Sequence, residues 1–298
     1  MTAPRRIAVT DIALARRLER AEGCSNAAFV ESRAVHQPEH GAVWRDINGT
    51  MAMFDGVGSP LTQTFCLGMF AALDIDQLHA IESFFAERGS DTFQEVCPLS
   101  DANALTLLPD RGYRPIEQST VMWQPVTETP TESHDATAPL ARRIEQSEVL
   151  RWADYSARGW EATAELAAFM RNFGAVTGSA RGTTCFVAEI DGDIVGTAGL
   201  NIHDRVALMA GASTLPAYRG RGAQAALLRA RLAYAHASGC DVAMMAALPG
   251  STSQTNAERQ GFRIAYTRTK WQRALPPLLP VPPHERDLVA QSDGSHSQ

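Results

Sequence analysis

The stretch Ser213-Thr-Leu-Pro-Ala-Tyr-Arg-Gly-Arg-Gly-Ala-Gln-Ala-Ala-Leu-Leu228 decides how the rest of this chain is read. Upstream, Val206–Leu215 has the composition of a buried strand and stops at Pro216. Downstream, Arg221–Ser238 carries a helical stripe of Ala225, Leu228, Leu232 and Ala235, closed by Gly239. The first backbone N–H groups of a helix have no internal partners and carry the positive end of its dipole. Glycine lets the main chain approach an anion with no Cβ in the way. A charge at such an end gains about 0.3–1 kcal/mol, rising to about 2 when partly buried. With Gly220 and Gly222 before the helix and Arg219 and Arg221 beside them, the spacing predicts a cradle for a diphosphate.

Two nucleotide-binding patterns fail here. Gly220-Arg-Gly222-Ala-Gln-Ala225 fits the dinucleotide pattern G-x-G-x-x-A, which follows a first strand and needs an acidic residue ending the second. In this chain Asp241 opens its strand and several strands precede the loop. The Lys-Ser/Thr of the nucleotide P-loop is absent.

Working outward, Leu140–Ile144 reads as a strand and Ser147–Phe173 as two helices meeting near Gly159-Trp160. Thr184–Ile190 alternates, with Phe186, Ala188 and Ile190 on one face, and Asp191-Gly192 predicts a tight hairpin into Ile194–Ile202. Beyond the long helix come a strand at Asp241–Leu248, a short helix at Ser251–Gln260 and a strand at Phe262–Trp271. The order β-α-α-β-β-β-α-β-α-β is that of an α/β fold.

With that order in place, residues 138–272 resemble the GCN5-related N-acetyltransferase (GNAT) superfamily. Its signature, Arg/Gln-x-x-Gly-x-Gly/Ala, is here Arg219-Gly-Arg-Gly222-Ala-Gln224, with Gln224 replacing the last small residue and crowding the loop. The resemblance implies a mixed central sheet of acetyltransferase type and acetyl-coenzyme A as co-substrate. Its pyrophosphate would lie over residues 219–225, on Arg219, Gly220, Arg221, Gly222, Ala223 and Gln224. Its pantetheine would run along Ser213, Thr214 and Leu215, where two strands splay, with Asn256 (or nearby Ser253) touching the cofactor arm. The implied reaction is direct attack of a neutral amine on the thioester, with a backbone N–H near Thr214 or Leu215 holding the oxyanion. Many members place an acid, Tyr, where this chain has Ala257. Tyr266 and Tyr218 are the substitute acids. Glu189 is the candidate base, acting through water, because Val206–Thr214 contains no carboxylate. Trp152, Tyr155, Trp160 and Glu161 occupy the region that shapes the acceptor site in the superfamily and could stack on and neutralise a cation. Val206, Leu208 and Ala210 read as core.

Composition breaks at residues 127–139, a polar stretch with two prolines that reads as a linker, and again at 276–298, a Pro-rich frayed tail. These breaks leave segments 1–126 and 140–275. Their ends are alike: Arg111-Gly-Tyr-Arg-Pro-Ile-Glu-Gln-Ser-Thr-Val-Met-Trp-Gln124 matches Gln260-Gly-Phe-Arg-Ile-Ala-Tyr-Thr-Arg-Thr-Lys-Trp-Gln272 with one gap. A duplicated unit accounts for this, giving two tandem copies. In the first, Asp46–Phe54 and Leu61–Met69 read as central strands, and Asp74–Arg88 as a helix with Ile75, Leu78, Ile81 and Phe85 inward. Its loop Phe70-Ala-Ala-Leu-Asp74 has no glycine pair and no arginine, and it puts Asp74 and Asp76 where phosphates would sit. Segment 1–126 is therefore expected to be a degenerate acetyltransferase-like domain that walls the acceptor pocket.

The chain has 298 residues, 45% apolar and 20% charged, enough to bury real cores. No apolar run reaches about 18 residues, so no membrane span is expected. The first residues lead into a charged helix pattern, which argues against a signal peptide. A net charge of −6 without a basic block argues against nucleic acid as partner. Five scattered cysteines with no Cys-x-x-Cys point to a reducing cytoplasm. His36-Gln-Pro-Glu39-His40 has the spacing of some zinc proteases, but Pro38 would break the helix that chemistry needs, so no metal is expected. The expected activity is acetyl transfer to a small-molecule amine. The alternatives are acetylation of protein N-termini or lysines, and a coenzyme A-binding sensor that lacks catalysis.

Overall fold

Residues 10–128, 138–160 and 163–275 are described by the computed structural model of the chain. Residues 1–9, residues 129–137 of the expected linker 127–139, residues 161–162 (Glu161 among them) and the expected tail 276–298 lie outside them. Helix α1 (Ile12–His36) begins where the Asp11 carboxylate accepts the Leu14 N–H. It ends before a separate 3-10 turn, Pro38–His40, so His36 and His40 do not share a helix. Strands β1 (Val43–Ile47) and β2 (Thr50–Phe54) form a hairpin over Asn48 and Gly49, both at positive φ. Asn-Gly is the strongest short hairpin signal, and it splits the single strand expected over Asp46–Phe54. The strand expected over Leu61–Met69 shrinks to β3 (Gln63–Phe65), because Cys66 turns the chain at φ 67°.

Helix α2 (Ile75–Ala86) buries Leu78, Ile81 and Phe85, but Ile75, in its first turn, is 57% exposed rather than inward. Then follow β4 (Thr92–Val96), α3 (Ala104–Asp110) and β5 (Arg114–Pro125). The second half supplies β6 (Leu140–Arg143), α4 (Val149–Arg158), α5 (Ala164–Ser179), β7 (Thr183–Ile190), β8 (Asp193–His203) and β9 (Val206–Thr214). It closes with α6 (Ala223–Ala237), β10 (Val242–Ala247), α7 (Thr252–Arg259) and β11 (Arg263–Arg273). The buried face of α6 is wider than the expected stripe: Ala223, Ala226, Leu227 and Arg231 join Leu228, Leu232 and Ala235, while Ala225 is half-buried.

Among the described residues all the strands join one 11-stranded sheet, in the order β1-β2-β3-β4-β11-β5-β10-β9-β8-β7-β6. The last strand of each half is exchanged across the centre. β5 lies between β10 and β11, and β11 between β4 and β5. The two stretches that resemble each other in sequence are these central strands, paired antiparallel from Arg263 opposite Trp123 to Gln272 opposite Arg114.

The sheet folds around α1, which touches β1, β2 and β3 on one side and β8, β9 and α5 on the other. Its core partners include Met51, Phe65, Val121, Leu208 and Tyr266. Helices α4 and α5 share this concave side with α1; α6 packs on the opposite face of the second half, against Phe186, Ala198, Met209 and Met122. A buried ion pair, Arg33–Asp55 at 2.8 Å, ties the end of α1 to β2. The same guanidinium reaches Asn172 of α5, where the Phe29 and Phe173 rings also stack at 4.5 Å.

Candidate functional site

The parallel strands β9 and β10 pair only from Val206–Leu208 against Val242–Met244, and then part. A bulge in β9, opposite Thr197–Gly199 and with Gly211 at φ 60°, bends it further. Beyond the bulge, Leu215 N donates to Val195 O at 2.9 Å, which makes Thr214 and Gly196 a non-hydrogen-bonded pair. The amide and carbonyl of Thr214 therefore face the gap. Of the two expected oxyanion donors, Leu215 is spent on β8, which leaves Thr214.

The mouth of α6 lies beside this gap. Gly220 (φ 74°) and Gly222 (φ 87°) adopt the left-handed conformation, which a side chain resists. No side chain caps α6, so its first amides remain available to a ligand. Space in front of the loop is open: a Cβ at Gly220 would meet nothing within 4 Å, and one at Gly222 only Pro139, at 3.7 Å. Arg221 stacks over the Tyr218 ring at 5.3 Å, and Arg219 Nη2 donates to Gly159 O at 3.0 Å. Gln224, expected to crowd the loop, instead turns back to clasp the strand. Its Nε2 donates to Ser213 O (2.9 Å) and Thr214 Oγ1 (2.7 Å). Ala223 is buried beneath.

On the concave side the end of β9 is pinned by α4. Ser213 Oγ lies 2.9 Å from Thr197 Oγ1 and donates to Ser156 O at 3.2 Å. Gly159, the α4 cap, is where helix and strand come closest, since a Cβ there would stand 2.5 Å from Ser213 Oγ. Gly159, expected near the meeting point of two helices, carries no local signal for this approach to the strand.

The remaining expected site residues separate. Tyr266 is not at the gap. It is buried under α1 on β11, three strands from β9, and its hydroxyl donates to Glu19 at 2.8 Å. Burial and the neighbouring carboxylate push its pKa far above the ordinary phenol range. Glu189 is also elsewhere: on β7, bound to Arg142 at 2.9 Å, whose guanidinium also holds Glu148 at 2.8 Å. Trp152 is core, with Nε1 donating to Phe186 O at 3.0 Å. Tyr155 is half-buried between the Arg151 and Arg158 guanidiniums, and Trp160, just past Gly159, is 52% exposed. Tyr218 borders the cradle, half-buried. Asn256 is half-buried on α7, where the neighbouring Ala257 is core. Val206 and Leu208 are core as expected, with Ala210 packed against them.

The corresponding place in the first half is closed. β3 and β4 pair only at Thr64 and Gln94, but Asp101 N donates to Gly68 O across the gap at 2.9 Å. The mouth of α2 is occupied by its own Asp74, which accepts from Gln77 N at 2.7 Å. What remains is an open cleft of about 330 Å³ bordered by Ile12, Arg16, Phe70 and Leu99.

Among the described residues no group of His, Cys, Asp and Glu could hold a metal ion, and no helix is long and apolar enough to cross a membrane. Residues 146–262 match the Acetyltransferase (GNAT) family. No curated protein matches the chain. Solved structures share its fold, among them the following three. A tandem GNAT protein from the clavulanic acid biosynthesis pathway has TM-score 0.59 at 12% identity, covering 90% of this chain and 96% of that one. A GCN5-related N-acetyltransferase from Kribbella flavida has TM-score 0.58 at 16% identity, over 83% and 95%. Another from Sphaerobacter thermophilus has TM-score 0.53 at 18% identity, over 94% and 99%.

Proposed function

We propose that this chain, whose residues 146–262 match the Acetyltransferase (GNAT) family and whose fold is shared by a tandem GNAT protein, transfers the acetyl group of acetyl-coenzyme A to the amine of a small molecule. The observation that carries this reading is the contrast between the two halves: one helix mouth is open and glycine-lined beside a parted strand pair, the other stoppered by Asp74. The residues fit the cofactor. The free amides of α6, with Arg219 and Arg221, would hold its diphosphate, and the exposed edge of β9 would hydrogen-bond its amide-bearing arm. When bound, acetyl-coenzyme A supplies an activated acetyl thioester.

The chain's own groups do the rest. The Thr214 N–H faces the gap and is the donor available to an oxyanion, a contribution that typically matters about 10²–10³-fold in rate. Gln224 fixes that donor by holding Ser213 and Thr214 from the α6 side, while Ser156 and Gly159 hold them from the other. Overall, a C–N bond forms as the C–S bond breaks. The amine gives one proton to water, and the departing sulfur takes one up. Tyr218 is the expected acid whose element borders the cradle. The exposed Trp160 at the end of α4 forms part of the acceptor's entrance. All five cysteines are free thiols, which suits a reducing cytoplasm.

The test is a thiol-release assay over a panel of amines, alongside calorimetric titration of acetyl-coenzyme A. Tight binding with turnover of at least one amine supports the reading. Tight binding with no turnover of any amine or peptide would favour a sensor. No binding would refute the assignment of the cradle.

A further inference from the structure

Helix α1 belongs to the first half, yet it stands over the concave side of the second half's gap, opposite the face that carries α6. An acceptor meeting a cofactor threaded from the α6 mouth must approach on this side. On the underside of α1, three carboxylates crowd one guanidinium. Arg268 of β11 holds Glu22 through both nitrogens, at 2.8 and 3.1 Å, with Glu19 at 3.5 Å and Glu95 of β4 at 3.6 Å. Tyr266 donates to Glu19 and adds no charge. Beyond them, Lys270 of β11, which pairs across from Glu95, and Glu117 of β5 act on Glu95 in opposite senses. The cluster thus lacks positive charge.

It also lacks hydrogen-bond donors. Glu19, 1% exposed, has Oε2 buried within the cluster with no hydrogen-bond partner, and Oε2 of buried Glu95 has none either. Leaving a buried carboxylate oxygen without a donor is costly, and an ammonium carries three donors and the missing charge. Glu22, with its side chain 14% exposed, is where the cluster opens to solvent. One turn on, the half-buried Asn26 continues the same helix face.

We propose that Glu22, Glu19 and Glu95 form a cation subsite of the acceptor site, so that the acceptor carries a second ammonium besides the amine that is acetylated. β11 stands two strand spacings from β10, roughly 10 Å, which sets the span between the two nitrogens. This rests on the acetyltransferase reading above and deepens it. The N-terminal half then selects the substrate while the C-terminal half binds the cofactor.

The test compares 1,8-diaminooctane with octylamine as acceptors, and titrates 1,8-diaminooctane calorimetrically into the coenzyme A complex. The diamine is expected to bind, and to exceed the monoamine in kcat/KM by about tenfold or more, as a charge-assisted bond does. In Glu22→Gln and in Glu95→Gln that ratio and the diamine affinity fall, while acetyl-coenzyme A binds as in the wild type and certifies the fold. Equal kcat/KM for the two amines, no diamine binding, or binding that survives both substitutions would overturn the subsite. Failure to bind acetyl-coenzyme A would instead strike the reading on which it rests.

Discussion

Replacing Gly159 by Ala probes the contact between α4 and β9 that holds the gap in shape. Gly159 has φ −69° and ψ −15°, so alanine suffers no backbone strain there and gains up to about 1 kcal/mol in helix propensity. The added methyl would stand 2.5 Å from Ser213 Oγ, 2.6 Å from Ser213 Cβ and 3.1 Å from Thr214 N. Overpacking of this kind costs about 1–3 kcal/mol, and losing the Ser213–Ser156 hydrogen bond adds about 0.5–1.5. The net loss of stability is then about 0.5–3.5 kcal/mol. Relief comes only if α4 lifts off the strand, which moves the Thr214 amide and withdraws Gly159 O from Arg219. Acetyl-coenzyme A affinity should therefore fall by at least about tenfold, equivalent to 1.4 kcal/mol. Urea denaturation reads the first effect and calorimetric titration the second. A Gly159→Ala protein with wild-type stability and wild-type affinity would refute the claim that this contact shapes the cofactor gap.

Other expected outcomes follow from the same structure. Gly222→Glu places a side chain at φ 87° and a negative charge at the open mouth of α6, so acetyl-coenzyme A binding should be lost while backbone strain lowers the thermal midpoint by about a few degrees; retained affinity would refute the cradle. Asp55→Ala leaves the Arg33 charge buried without its partner and should cost about 3–5 kcal/mol by urea denaturation; a cost below 1 would show that the pair is dispensable. Burial raises the Glu19 pKa from 4.5 to about 6, so the folded state keeps this proton to higher pH than the unfolded chain. Stability from this group is full below about pH 4.5 and lost as pH rises through about 6, a change of about 2 kcal/mol. Urea midpoints of Glu19→Gln, measured against pH beside the wild type, should lack that fall, and parallel curves would refute it.

The second half was legible because its signals are local. Asp191-Gly192 turns the β7–β8 hairpin at positive φ in both residues, and Gly220 and Gly222 are where a helix mouth opens. Asn48-Gly49 carries the same kind of signal, and it divides the single strand expected over Asp46–Phe54. What sequence could not supply was partnership. The likeness of Arg111–Gln124 to Gln260–Gln272 is visible, but nothing local says that the two similar strands lie side by side and exchange places at the centre of one sheet. The burial of Tyr266 beside Glu19 follows from α1 returning over β11, 247 residues apart in sequence. Glu189 was drawn into the site by chemistry alone; its Arg142 partner sits 47 residues away on an edge strand. Local patterns specify elements, whereas long-range pairing decides which side chains meet.

The crossed central strands also govern how the molecule is made. As the chain leaves the ribosome, β4 has an open edge, and so has β5 once β10 has joined it; β11 later fills the place between them. Residues 263–273, the last to pair, must thread between two strands that were synthesised more than a hundred residues earlier. Until then the nascent sheet presents two bare edges, the kind that recruit neighbouring chains into aggregates. Loss of residues 263–273 would therefore leave both halves of the sheet unfinished, with the facing edges of β4 and β5 bare.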